Sequence, residues 1–156
     1  MEKPLQNKKI AILTANGVNE SHMTEIQRGL MKAGAYLRTI SVDHAIINSW
    51  NGSGWGMNFA VDAALNTALG VDYDMLILPG GERATEKLTK TAHTKRFIAS
   101  FVRLNRPIGV IEDGEKLLEI VETDVNAQNV VQIEENEMNV LVTFFAEHSE
   151  DLAEAA

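Results

Sequence analysis

Short apolar runs, each closed by turn residues, alternate along this chain with stretches whose apolar positions recur at helical spacing. Ile10-Ala11-Ile12-Leu13 follows Lys8-Lys9 and is closed by Thr14-Ala15-Asn16-Gly17, which predicts a buried strand ending in a loop. Asn19 and Ser21 are N-cap residues, and Glu20 and Glu25 suit the positive start of a helix. Met23, Ile26 and Leu30 then recur on one helical face until Gly34 stops the helix. Tyr36 to Val42 reads as a second strand, with Leu37, Thr39 and Ser41 alternating against Tyr36, Arg38 and Ile40. A strand–helix–strand opening favours a parallel sheet with right-handed crossovers.

The middle is less regular. Ala45-Ile46-Ile47 reads as a short strand or edge piece, and Asn51-Gly52-Ser53-Gly54 is a turn-rich stretch between Trp50 and Trp55. That stretch fits a hairpin or surface loop with its indoles packed on the domain or at a subunit contact, and alternatively an aromatic ligand-binding loop. Tyr73 to Leu78 is an apolar strand ending in Pro79-Gly80-Gly81, and Thr91 to Leu104 is a helix with Phe97, Ile98, Phe101 and Val102 on one face. Pro107 to Ile111 is a further buried strand that turns at Glu112-Asp113-Gly114 into a helical Glu115–Val121. Val130–Ile133 is the last strand, Met138, Leu141, Val142 and Phe145 stripe a final helix, and Glu150–Ala156 is expected to fray. The order predicts an α/β fold: one doubly wound, three-layer domain over residues 1–156, with a mostly parallel sheet, an ordered core over about 8–148 and an acidic tail.

Composition narrows the classes. With 156 residues, 45% of them hydrophobic, the chain can bury one sizeable core. No apolar run approaches the roughly 18 residues that a membrane helix needs, and no hydrophobic signal core precedes the first strand, so the expected location is the cytoplasm. The absence of cysteine excludes disulfides, thiolate metal sites and a thiol nucleophile. Net charge is −8, split into +4 over residues 1–111 and −12 over residues 112–156. Nucleic acid is therefore not an expected partner, because the positive part is dilute and the rest is repelled by phosphate.

Ligands of doubly wound sheets collect beyond the carboxyl ends of the strands, where Thr14–Glu20, Pro79–Glu82 and Glu112–Gly114 fall. A buried strand, a two-residue corner, a glycine and a helix make the shape of a nucleophile elbow, which lifts the side chain of Glu112 above the sheet. Gly80 and Gly81 would let backbone amides approach a carbonyl oxygen as an oxyanion hole requires. Glu20, Glu112 and Asp113 are the carboxylates within reach of such a site, for acid–base work or, more weakly, for a hard cation. The histidines lack HxH or HExxH spacing, so no metal is expected. His22 reads as a solvated position at a helix start, and His44 as a partner of Asp43. His93 lies in a first helical turn, and His148 complements the dipole of the last helix. A flavin-phosphate loop after the first strand would need a dense Ser/Thr set that Thr14–Asn19 lacks, and a response regulator would need acids where Thr14-Ala15 and Leu78-Pro79 stand.

The run Tyr73–Gly81, the helix through Phe97–Phe101 and the elbow Arg106–Gly114 together resemble the PfpI/ThiJ family, within the class I glutamine amidotransferase-like superfamily. Ile10–Asn16 is similar to that family's first strand and loop, so the likeness covers roughly residues 8–121. It implies a flavodoxin-like fold and a homodimer or higher homo-oligomer. In the active branches the elbow carries cysteine followed by histidine, and a glutamate from the loop after the first strand contacts the cysteine. Here those places hold Glu112 and Asp113, and the loop place is matched by Asn19, with Glu20 next to it. Thiol-dependent peptidase, deglycase or glyoxalase chemistry is thereby contradicted. The chain also resembles the C-terminal domain of large-subunit catalases, a cysteine-free module of this type, here without a haem domain. The expectation is a non-catalytic binding or oligomerisation module, with itself and a small-molecule ligand as partners and without cofactor. The alternative is a hydrolase or lyase that uses Glu112, with Gly80 and Gly81 as oxyanion donors.

Overall fold

Strand β1 (Lys9–Thr14) is buried at every position after Lys9, the mark of an interior parallel strand covered on both faces. The computed structural model to which it belongs describes residues 3–43, 45–124 and 126–155, with side chains to residue 148. His44, and with it the expected Asp43–His44 pairing, lies outside the described residues.

β1 is followed by β2 (Val18–Asn19), α1 (Glu20–Lys32), β3 (Tyr36–Ser41), β4 (Ile46–Trp50), β5 (Trp55–Ala60) and β6 (Ala63–Ala64). The second half holds β7 (Met75–Leu78), α2 (Glu82–Thr89), α3 (Ala92–Arg103), β8 (Ile108–Ile111), β9 (Val130–Ile133) and α4 (Met138–Ala155). Two 3-10 segments complete it, Gly70–Asp72 and Glu112–Val121. The main sheet runs β6-β3-β1-β7-β8-β9, and each neighbouring pair in it is parallel. The expected flavodoxin-like α/β architecture is thus present. Chain order reverses between β1 and β7, which places the topological switch point at their carboxyl ends.

Local chemistry sets the helix limits. Asn19 caps α1 by accepting the His22 amide, and the helix ends in a Schellman arrangement: Gly34 has φ +92°, its N–H reaches Met31 O, and Ala35 N–H reaches Leu30 O. Asn105, at φ +55°, ends α3 in the same way, with its own N–H on Val102 O and Arg106 N–H on Phe101 O. Helix α4 packs beside α1, and Leu141 fills the space that a side chain at Gly109 of β8 would take. α2, α3 and the Glu112–Val121 segment pack together as a second helical layer, with Phe97 and Phe101 edge-to-face at 5.5 Å in its core.

Several expectations are corrected. β3 does not alternate: burial rises along it until Thr39, Ile40 and Ser41 are all buried, because its end is flanked by β1 and β6. Helix α2 was not expected, since its polar sequence buries only Ala84, Thr85 and Leu88. Glu112–Val121 is a tighter 3-10 helix. Leu5, ahead of the expected core, is fully buried.

Candidate functional site

Three loops converge at the switch point and are laced together by their backbones. After β1, Asn16 N–H binds the Asp43 carboxylate at 2.8 Å, Asn16 Oδ1 accepts from Asn48 N–H at 2.8 Å, and Gly17 N–H reaches Asn48 O at 2.9 Å. Asn19 N–H donates to Gly80 O at 2.9 Å, tying this loop to the one after β7. Gly81 has φ +129°, and a Cβ there would lie 2.6–2.8 Å from the backbone of Gly17, Val18 and Asn19, so only glycine fits.

The elbow is formed as the sequence predicts. Glu112 has φ +50°, a left-handed conformation that a non-glycine residue holds only when its surroundings impose it. Gly114 provides the imposition, since it sits against Leu78 O so closely that no Cβ would fit. The raised Glu112 carboxylate, with 42% of the side chain exposed, meets His22 Nε2 at 2.9 Å. His22 itself is fully buried, which corrects its reading as a solvated position. Its Nδ1 accepts the Gly80 N–H at 2.9 Å. An amide can only donate, so Nδ1 is the bare nitrogen and the ring proton rides on Nε2, directed at Glu112.

The remaining expected residues are dispersed or already bonded. Gly81 N–H is shared between the two oxygens of Asp113, each at 3.2 Å, so Asp113 sits at the positive N-terminus of α2. The Gly80 amide is held by His22 as described. Glu20 turns to the β4–β5 hairpin, where it accepts Met57 N–H at 2.6 Å and Ser49 Oγ–H at 3.4 Å. Asn19 acts through its cap and backbone, and the residue that reaches the elbow from this side is His22, three positions further on in the first turn of α1. A signal for His22 was present, since it is in phase with Ile26 and Leu30 on the apolar face of α1.

Beside the elbow lies a cavity of about 630 Å³ whose wall includes Asn19, Ser21, Trp50, Arg83, Asp113 and Glu135. Trp50 and Trp55 pack edge-to-face at 5.4 Å, which agrees with the hairpin reading, and the Arg83 guanidinium lies 4.2 Å above Trp50. Glu82 and Glu86 also line it, so among the described residues four carboxylates face one cation.

His22, Glu112 and Glu135 present donor atoms within 4.8 Å of one another, the count that a metal centre would need. The Gly80 amide argues against one. With Nδ1 committed as an acceptor, Nε2 keeps its proton and has no lone pair for a cation, whereas a ligating histidine donates from its other nitrogen.

Comparison with known proteins agrees with this geometry. The profile of the DJ-1/PfpI family matches residues 8–131. No curated protein matches the chain by sequence. Among solved structures, a two-domain Anabaena variabilis protein with DJ-1/ThiJ/PfpI-like and ferritin-like domains is similar at 17% identity and a TM-score of 0.78 over 92% of this chain, which spans 48% of that protein. An oxidized DJ-1 from Toxoplasma gondii is similar at 16% identity and 0.72, covering 95% of this chain and 97% of its own. A ThiJ/PfpI domain protein from Brachyspira murdochii is similar at 10% identity and 0.71, over 94% and 98%. These likenesses establish the fold, and with the profile match over most of the chain they lead to one statement: this protein belongs to the DJ-1/PfpI family.

Proposed function

We propose that this protein is a non-catalytic member of its family, a small-molecule binding module whose ligand enters the cavity beside the elbow. One observation carries the reading: both amides that would stabilise an oxyanion are already bonded, Gly80 to His22 and Gly81 to Asp113. Acyl-transfer catalysis needs donors aimed at the developing charge and free to receive it. The elbow also lacks the thiol, and its Glu112 carboxylate is held by the His22 ring. The balance of charge in the cavity favours an organic cation or a neutral polar molecule over an anion.

The competing reading is a hydrolase or lyase in which Glu112 attacks or acts as base. It has in its favour the strained φ and the part-exposed carboxylate. It would have to break the Gly80 and Gly81 hydrogen bonds to free its oxyanion donors. We also read the protein as cytoplasmic and as a homodimer; exposed Ile46, Trp55 and Met57 on the β4–β5 hairpin support self-association. Among the described residues no helix is long and apolar enough to cross a membrane.

Two assays test the main reading. The protein is offered α-oxoaldehydes, small peptides and amides, and separately titrated with a small diamine and with a carboxylate of equal size while indole emission is followed. No turnover and a saturable response to the diamine alone are expected. Turnover that Glu112→Gln abolishes at unchanged Tm would replace this reading with the hydrolase or lyase. Sedimentation velocity tests the dimer.

A further inference from the structure

We propose that Asn51, at the hairpin tip on the cavity rim, is a site of self-catalysed deamidation that adds a carboxylate to the cavity wall. The chain contains two Asn-Gly steps, Asn16-Gly17 and Asn51-Gly52, and the fold treats them in opposite ways. At Asn51 the side-chain oxygen accepts Ser53 N–H at 3.0 Å, Gly54 N–H at 3.0 Å and Ser53 Oγ–H at 3.2 Å. These donors converge on the atom that becomes negative when a nucleophile adds to Cγ, which is the arrangement of an oxyanion hole. The nucleophile is the backbone nitrogen of Gly52. That glycine is exposed, and an ideal Cβ on it would have no atom within 4 Å, so nothing shields it from water and base.

The step balances without a further reactant. Gly52 N loses its proton to solvent base and bonds to Asn51 Cγ, the Cγ–Nδ2 bond breaks, and ammonia leaves with a proton from water. Water then opens the five-membered imide at either carbonyl, giving aspartate or isoaspartate.

At Asn16 the same chemistry is blocked. There the nucleophile is the part withheld: Gly17 N–H is spent on Asn48 O at 2.9 Å, and Gly17 is packed against Arg83. The two sites therefore control for each other within one molecule.

The product changes the cavity. A carboxylate at position 51 joins Glu82, Glu86, Asp113 and Glu135, and the isoaspartate form lengthens the backbone between Trp50 and Trp55. Those are the only two tryptophans in the chain, so their coupled near-ultraviolet circular dichroism reports the event.

The test incubates the full chain in warm, mildly alkaline buffer, folded and in denaturant, with peptide mapping for aspartate and isoaspartate. Expected is conversion at Asn51 and not at Asn16 in the folded protein, conversion at both in denaturant, and loss of the tryptophan couplet in step with Asn51. Gly52→Ala should slow the folded reaction about tenfold, because its methyl group hinders ring closure and alanine is strained at the φ of +102° that Gly52 holds. An intact Asn51 in folded protein while the denatured chain converts, or equal rates at Asn16 and Asn51 in the fold, would overturn the proposal.

Discussion

The carboxylate of Glu112 and the imidazole of His22, 90 residues apart in sequence, meet at 2.9 Å because a strained corner lifts one while a helix face buries the other. The contact is asymmetric. Glu112 is part-exposed and can fall back on water, whereas His22 is enclosed and owes both ring nitrogens to protein partners. The pair therefore acts mainly as a brace between α1, the Gly80 loop and the elbow.

The brace predicts an order among Glu112 variants. Glu112→Gln keeps an oxygen for the Nε2 proton and should change stability by under about 1 kcal/mol. Glu112→Ala leaves that buried N–H without an acceptor and should cost about 1–3 kcal/mol. Glu112→Gly also loses the acceptor but relieves the φ +50° strain, so it should lie between the two, offset by about 1 kcal/mol. Urea titration of the three variants checks the ranking.

Variants of His22 separate its two bonds. Asn can place its oxygen where Nδ1 lies and accept from Gly80, while Gln reaches further and can donate to Glu112. Since the Gly80 amide is buried and Glu112 is not, His22→Asn should retain more stability than His22→Gln. His22→Leu should lose about 1–3 kcal/mol. For a chain of this size that is a Tm drop of about 2–4 °C per kcal/mol, read by calorimetry. The opposite order of Asn and Gln would mean that the Glu112 contact dominates.

Much of the fold was legible because its strands are continuous apolar runs closed by recognisable turns, as at Ile10–Asn16 and Met75–Gly81. The elbow was legible for the same reason: strand, corner and glycine are local. His22 was not, since a polar residue on an apolar face acquires its meaning from partners at positions 80 and 112, which only the tertiary fold supplies. Glu20 failed to join Glu112 for a related cause, because the hairpin amide of Met57 captures it first. Helix α2 was missed because its apolar face is only two turns long, Ala84 and Leu88 in an otherwise polar stretch.

Alkaline stability should depend on Tyr73. Desolvation by burial raises its pKa, with Asp72 and Asp62 adding to the rise and Arg38 opposing it. A phenol whose pKa is raised on folding stabilises the fold below its unfolded value of about 10, and that contribution fades as pH climbs through the folded value. Tyr73→Phe should therefore flatten the loss of stability above about pH 10 and leave neutral pH little changed. Chemical denaturation across that range decides it; an unaltered alkaline slope would remove Tyr73 from the account.

Arg83 sets what the cavity accepts. Its guanidinium stands 4.2 Å over Trp50 and 5.9 Å from Trp55, on the ring faces that an organic cation would use, and among the described residues it is the one cation that lines the cavity. An exposed cation–π contact contributes about 0.5–1 kcal/mol, so Arg83→Gln should cost no more than that in stability and should visibly alter indole emission. A diamine entering the vacated seat no longer competes with the side chain and meets four carboxylates unopposed. Its affinity should rise about 2–5-fold, the equivalent of that same energy. A carboxylate ligand would behave in the opposite way, losing the cation that offsets the wall. Titrating both probes against both proteins thus reads the sign of the cavity directly, and tighter carboxylate binding to the wild type would reverse the assignment of ligand class.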